Sequence, residues 1–177
     1  MTGRAVRQVW QGYYDLGLTA YETEDLALAE RFFAAAQKEA AGCGLVWEEA
    51  CAGQALALCQ IKRGEHGEAQ RILRRVVRLY GLSAPVDTVG LLRATVSLAD
   101  LYCHEGADEK ALPLLKSTRR VIVFLKGENN SELAPIIHRL AQIYNRHNLG
   151  GSSAQRGEQY VQQSCSILNS AVGYQAT

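Results

Sequence analysis

Little in this 177-residue sequence is scarce by accident. Over the whole chain neither sign of charge is in excess: Lys+Arg total 19 and Asp+Glu 18, a net of +1. A near-neutral chain argues against a nucleic-acid binder whose affinity rests on neutralising phosphates. With 47% hydrophobic residues, the low net charge also argues against intrinsic disorder. No apolar run approaches the roughly 20 residues needed to span a bilayer, so no membrane association is expected. Met1 to Trp10 contains no apolar segment followed by a cleavage site, and is not expected to be a secretory signal. Cysteine is limited to Cys43, Cys51, Cys59, Cys103 and Cys165. The number is odd and the positions fall inside helical patterns, so reduced thiols and a cytoplasmic setting are expected.

Proline is also sparse, at 3 residues, whereas Ala (24) and Leu (22) form about a quarter of the chain, well above ordinary usage. Both are strong helix formers, which points to an all-α protein. The length suits one domain of ordinary size.

Four segments share a layout. The first carries Tyr13, Leu16, Gly17, Ala20 and Tyr21, then Glu24-Asp25, then Ala29, Phe33 and Ala36. The second carries Gly53, Leu56, Ala57 and Ile61, then Gly64-Glu65, then Ala69, Leu73 and Val76. The third carries Thr95, Leu98, Ala99 and Tyr102, then Gly106-Ala107, then Ala111, Leu115 and Thr118. The fourth carries Ile137, Leu140, Ala141 and Tyr144, then Asn148-Leu149, then a weaker Gly157, Tyr160 and Ser164. The leading leucines are Leu16, Leu56, Leu98 and Leu140, a period of about 40 to 42 residues of the kind that marks helical repeats. A small residue follows each leucine, which would let a second helix approach closely.

Each segment therefore reads as two helices and a tight turn, eight helices in all, in units of about 7–41, 45–80, 86–125 and 131–169. Within them, helices are predicted over 26–41, 66–80 and 108–125. Asp25 and Asp108 are expected to cap the helices that follow them. Gly81 to Pro85 is expected to link two units. Pro85 and Pro135 should fall in first turns, and Pro113 early in its helix, where a missing N–H is harmless. The fourth unit has a longer turn, Leu149 to Ser153, and a polar second helix from about Ala154 to Asn169, as a terminal repeat requires. A frayed tail is expected over 171–177.

This pattern resembles the tetratricopeptide repeat (TPR) over residues 1–170 as a single domain. Leu16-Gly17, Tyr21, Ala29, Phe33 and Ala36 carry the likeness best. The period exceeds the standard 34 residues and is similar to the longer repeats of kinesin light chains. The Asn-rich first helices of those proteins are not reproduced, and only Asn145 is placed like theirs. The resemblance implies a right-handed α-α superhelix whose first helices line a concave groove. It places Gln11, Asp15, Leu18 and Glu22 in that groove, then Cys51, Ala55, Leu58 and Lys62. Arg93, Ser97, Asp100 and His104 would follow, then Arg139, Gln142 and Arg146. Some relatives clamp the C-terminal carboxylate of chaperones with Lys and Asn side chains. The clamp's early positions fall here on Tyr14, Leu18 and Ala55, so that activity is disfavoured.

The implied function is a non-enzymatic adaptor or scaffold holding a peptide or helix of a partner protein. Residues 1–60 hold 4 Lys/Arg and 8 Asp/Glu, whereas residues 61–120 hold 11 and 7. A groove polarised in this way would orient its ligand by charge, and the ligand would be acidic near Lys62, Arg93, Arg139 and Arg146. Ordinary solvated surface is the competing account of these charges. Arg71, Arg74, Arg75 and Arg78 share one helix face, opposite Ile72, Leu73, Val76 and Val77. They read either as a docking stripe for an anionic partner or as a solvated outer face. No CxxC, HExxH or phosphate-loop motif occurs. No metal, cofactor or enzymatic activity is therefore expected, and the thiols are expected to be buried and structural. Trp10 and Trp47 are expected to pack between helices. The alternative reading is a structural protein that forms a homo-oligomer through its end helices or convex face. It rests on Val6, Val9, Trp10 and Tyr13 in the first helix.

Overall fold

The computed structural model describes residues 3–128, 130–146, 155 and 158–163. Up to Arg146 the described residues form seven α-helices and one 3₁₀ turn, and no described residue is in a strand. The helices are α1 (Gly3–Glu22), α2 (Leu26–Gly42), α3 (Val46–Lys62), α4 (His66–Leu82), α5 (Thr88–His104), α6 (Asp108–Lys126) and α7 (Ala134–Arg146). The 3₁₀ turn, Ser131–Leu133, leads into α7. The expected second helix of the fourth unit lies largely outside the described residues. So do the turn before it, Cys165 and the tail, while residues 155 and 158–163 are helical.

The chain forms two compact units, Met1–Ala94 and Thr95–Thr177. In the first, α1 packs on α2, α2 on α3, and α3 on α4. Its core includes a cluster of Trp10, Ala36, Ala40 and Ala52, against which Tyr13, Tyr14 and Leu45 pack. The small residues of this cluster let α2 and α3 draw close, and Trp10 fills the remaining space. In the second unit α6 and α7 meet over fully buried Leu115, Ile122, Ile136, Ile137 and Leu140.

The turns follow from backbone chemistry. Gly64 and Gly106 adopt φ of 79° and 74°, a left-handed conformation that costs glycine little. This lets the Glu65 N–H reach back to the Gln60 carbonyl at 2.8 Å and the Ala107 N–H to the Tyr102 carbonyl at 2.8 Å. Glu24 takes the same role in the first turn with φ 62°. Asp25 caps α2 as expected, its Oδ1 accepting the Leu28 N–H at 3.0 Å.

The structure corrects several local expectations. Asp108 is not a cap: Ala107 precedes the helix, and Asp108 is its first, buried residue. Its carboxylate faces Arg146 Nη1 at 3.3 Å. α4 runs on to Leu82, so Gly81 is helical rather than linking. Pro85 lies three residues ahead of α5, and Asp87 begins that helix instead, its Oδ1 accepting the Gly90 N–H at 2.9 Å. Pro113 is the sixth residue of α6, beyond the first turn, where its missing N–H leaves the Glu109 carbonyl without its helical partner.

Leu56, Leu98 and Leu140 are buried, but Leu16 is 51% exposed. α3 has α2 on one side and α4 on the other, whereas α1 packs mainly on α2. Gly17 and Ala20 are buried against that neighbour, and Leu16 points roughly 100° away from Gly17.

Thr95 and Thr118 are both buried, and their hydroxyls share a 3.0 Å hydrogen bond. Thr95→Val leaves the Thr118 hydroxyl without this partner and is expected to cost about 1–3 kcal/mol. Thr95→Val with Thr118→Val removes both polar groups and should recover most of the loss. A double-mutant cycle by urea unfolding reads the difference, and strictly additive losses would contradict this account.

Candidate functional site

A pocket of 360 Å³ in the first unit lies between α1, α3 and the start of α5. α1 contributes Tyr14, Leu18 and Tyr21 at steps of four and three, which places them on one face. α3 contributes Trp47, Cys51, Gln54, Ala55 and Leu58 at the same spacing, and α5 contributes Val89, Gly90 and Arg93. Phe33 of α2 and Tyr80 of α4 reach between these helices to form the floor. Close approach requires small residues here. A Cβ on Gly17 would lie 2.6 Å from Phe33 Cε1, and one on Gly90 would lie 2.5 Å from Tyr80 Cε1.

Polar groups fix the walls. Trp47 Nε1 donates to Asp87 Oδ2 at 3.0 Å, so the residue that caps α5 also holds the indole. The Tyr80 hydroxyl donates to Gln54 Oε1 at 2.9 Å and lies 3.5 Å from Cys51 Sγ. Trp10 stacks on Tyr14 at 5.0 Å, and the Tyr14 and Phe33 rings lie 5.6 Å apart, tilted by 58°. Lys62 Nζ lies 4.1 Å from the centre of the Tyr21 ring, a cation–π contact that draws the ammonium over the aromatic face.

Trp47, Leu18, Leu58 and Val89 remain 44%, 39%, 38% and 40% exposed while lining this one pocket. Of the sequence-predicted groove residues, the pocket brings together Leu18, Cys51, Ala55, Leu58 and Arg93. Gln11, Asp15 and Glu22 lie on α1 outside it, with Gln11 Nε2 donating to Asp15 Oδ1 at 2.8 Å. Trp47, expected only to pack between helices, also lines the pocket. Four residues before Cys51, it continues the Cys51–Ala55–Leu58 stripe, a signal present in the spacing. Tyr80 carried no such signal, because it comes from the second helix of its pair.

Lys62, at the end of α3, also lies outside the pocket, and the other predicted residues lie in the second unit. Arg139 Nη2 pairs with Asp100 Oδ1 at 2.6 Å, and its Nη1 donates to Gln142 Oε1 at 2.6 Å. Gln142 Nε2 then lies 2.8 Å from His138 Nε2. Arg146 faces Asp108 and the Cys103 carbonyl. Ser97 is half-buried and His104 exposed on α5. Burial raises the Asp100 pKa despite the opposing pull of Arg139. Of the four cations predicted to meet an acidic ligand, Arg139 and Arg146 are thus engaged by carboxylates and Lys62 by a ring. Arg93 has no ion pair among the described residues.

The thiols do not form one class. Cys43 is exposed, Cys51 and Cys103 are half-buried, and Cys59 is buried. Burial pushes the Cys59 thiol up to about 11. It does the same to Cys103, helped by Asp108. Burial also raises Cys51 and Tyr80. A thiol so protonated is a poor nucleophile near neutral pH. Among the described residues no cluster of His, Cys, Asp and Glu could hold a metal ion, and no helix is long and apolar enough to cross a membrane.

Solved structures share this arrangement of paired helices. A protein from Podosopora anserina, described as a kinesin light chain with nearly identical TPR-like repeats, matches in two crystal structures with TM-scores of 0.70 and 0.69. Each is 16% identical, with 92% of this chain and 76% of that one covered. The chain has a TPR-like repeat fold. BtubC (BKLC) from P. vanneervenii matches with a TM-score of 0.78 at 16% identity, covering 96% of this chain and 66% of that one. No protein-family model matches the sequence, and no curated protein matches it. The TPR-like pattern of small residue, aromatic and leucine is thus expressed in the packing: Gly17 against Phe33 is its clearest instance.

Proposed function

We propose that this chain is a non-enzymatic protein-interaction module that holds a peptide or helix of a partner protein against α1, α3 and α5. The observation that carries this reading is the pocket itself. Four large apolar side chains stay substantially exposed yet point into one concavity, and such sites are where ligands bury most of their surface. Arg93, exposed at the pocket and without an ion pair among the described residues, favours an acidic group on the ligand beside that apolar anchor. The raised thiol pKa values favour a binding role over nucleophilic chemistry.

The test is a quantitative binding assay, by calorimetry or peptide array, with the partner segment recovered from screening. Leu58→Arg fills the pocket with a charge and is expected to weaken binding by at least about tenfold, or roughly 1.4 kcal/mol. Arg93→Glu should weaken it less and reduce its salt dependence. Unchanged affinity in both variants, with native circular dichroism, would refute the pocket.

A second reading, self-association, is favoured by α1. Val9 and Leu16 are exposed there on one side, with open space around Gly12 between them. Sedimentation of Leu16→Glu beside the parent chain separates the two readings. A concentration-independent monomer in both leaves only the first.

A further inference from the structure

A second concavity of the first unit, on the other side of α3, has a different chemistry. It is a cleft of 390 Å³ between α2 and α4. Lys38 of α2 and Arg71, Arg75 and Arg78 of α4 line it, over a floor that includes Ala34, Leu56 and Ile72. It shares no lining residue with the aromatic pocket. Spacing of four and three places the three arginines on one helix face, and α2 supplies the fourth cation across the cleft.

The charges are not mutually cancelled. Buried Glu49 accepts from Arg75 Nε at 2.6 Å and holds that guanidinium in place at the cleft wall. Glu68 pairs with Arg71 at 2.9 Å. Lys38 and Arg78 have no carboxylate partner among the described residues. Cations gathered in a concave, partly apolar site raise the local potential more than the same charges spread over a flat surface. An ordinary amphipathic helix face explains a row of arginines on α4. It does not explain a lysine from another helix in the same cleft, or an arginine fixed by a buried carboxylate.

We propose that this cleft is a second docking surface, for an acidic segment of a partner protein whose carboxylates meet Lys38 and Arg78 and whose small apolar side chains meet Ala34, Leu56 and Ile72. Exposed Ala34, beside the edges of Leu56 and Ile72, gives the cleft an apolar part that a polypeptide side chain can cover and a free phosphate cannot. The net charge of +1 over the whole chain gives too little neutralising power for a nucleic acid. This proposal goes beyond the aromatic pocket and does not depend on it.

The experiment uses the full chain and an array of synthetic peptides combining Asp or Glu with Ala, Val or Leu, each beside its Asn or Gln counterpart. The tightest peptide is then measured by fluorescence anisotropy. Acidic peptides should bind at least about tenfold more tightly than their amide counterparts, and added salt should weaken them. Lys38→Glu with Arg78→Glu should reduce binding at least tenfold, and Lys38→Gln with Arg78→Gln should reduce it less. Leu58→Arg, in the aromatic pocket, should leave it unchanged. Both charged residues are exposed and have no carboxylate partner among the described residues, so the variants should melt as the parent does. The proposal is overturned if no acidic peptide is preferred, if the charge reversals have no effect, or if Leu58→Arg abolishes binding instead. Displacement of the peptide by inorganic phosphate at comparable concentration would make the site a phosphate site. Self-association that the charge reversals abolish would make a second copy of the chain the occupant.

Discussion

Gly17→Leu is expected to lower the stability of the protein by roughly 3 kcal/mol or more, since extra methylenes forced into a packed interior cost about 1–3 kcal/mol and occasionally more. The first added carbon already stands 2.6 Å from Phe33 Cε1 and 2.7 Å from Cδ1. Phe33 is fully buried and in contact with Tyr14, so the ring cannot step aside without disturbing α1 and α2 together. One term opposes the loss: replacing a mid-helix glycine gains about 0.5–1 kcal/mol of helix propensity. Gly17→Ala balances these two effects closely and should fall between the parent and Gly17→Leu. Urea unfolding followed by circular dichroism measures all three. A Gly17→Leu midpoint matching the parent's would show that α1 does not depend on this close approach. The same ring floors the aromatic pocket, so a variant that folds with Phe33 displaced should also bind its ligand more weakly.

Pro113→Ala is expected to act in the opposite direction, stabilising the protein by roughly 2 kcal/mol. Proline in a helix interior is about 3 kcal/mol less favourable than alanine. The greater freedom of the unfolded alanine chain takes back about 0.4–1 kcal/mol. Pro113 is the exposed sixth residue of α6, so alanine restores the hydrogen bond to the Glu109 carbonyl without opening a core cavity. A rise in the unfolding midpoint at unchanged cooperativity is the expected result. An unchanged or lower midpoint would mean that the packing of α6 has settled around the proline.

The groove positions came from the likeness to TPR repeats rather than from the residues themselves. Leu18, Cys51, Ala55, Leu58 and Arg93 were named as inward-facing and do line one pocket. The stripe on α1 runs through Tyr14, Leu18 and Tyr21 rather than through Asp15 and Glu22, one residue round the helix. A step of 100° per residue makes such an offset easy to incur when only one helix face is known. Tyr80 and Phe33 were not legible as site residues. They come from second helices, and only the close approach allowed by Gly17 and Gly90 brings their rings to the floor. The pairing of Arg139 with Asp100, and of Arg146 with Asp108, could not be read from sequence separations of 39 and 38 residues.

Local order was determined by the sequence alone. Helix type, the glycine turns and the Asp25 cap all depend on residues within a few positions of one another, and short-range sterics and hydrogen bonding decide them. Whether a given residue is covered or open was decided only in the tertiary structure. Leu16 and Leu56 hold the same place in the repeat, yet one is exposed and the other buried, because α3 has a helix on each side and α1 does not. The same holds for charge: Arg75 is committed to a buried carboxylate, while Arg78, three residues on along the same helix, is not. Burial and pairing depend on which neighbours arrive, and that is a property of the packing rather than of any one segment.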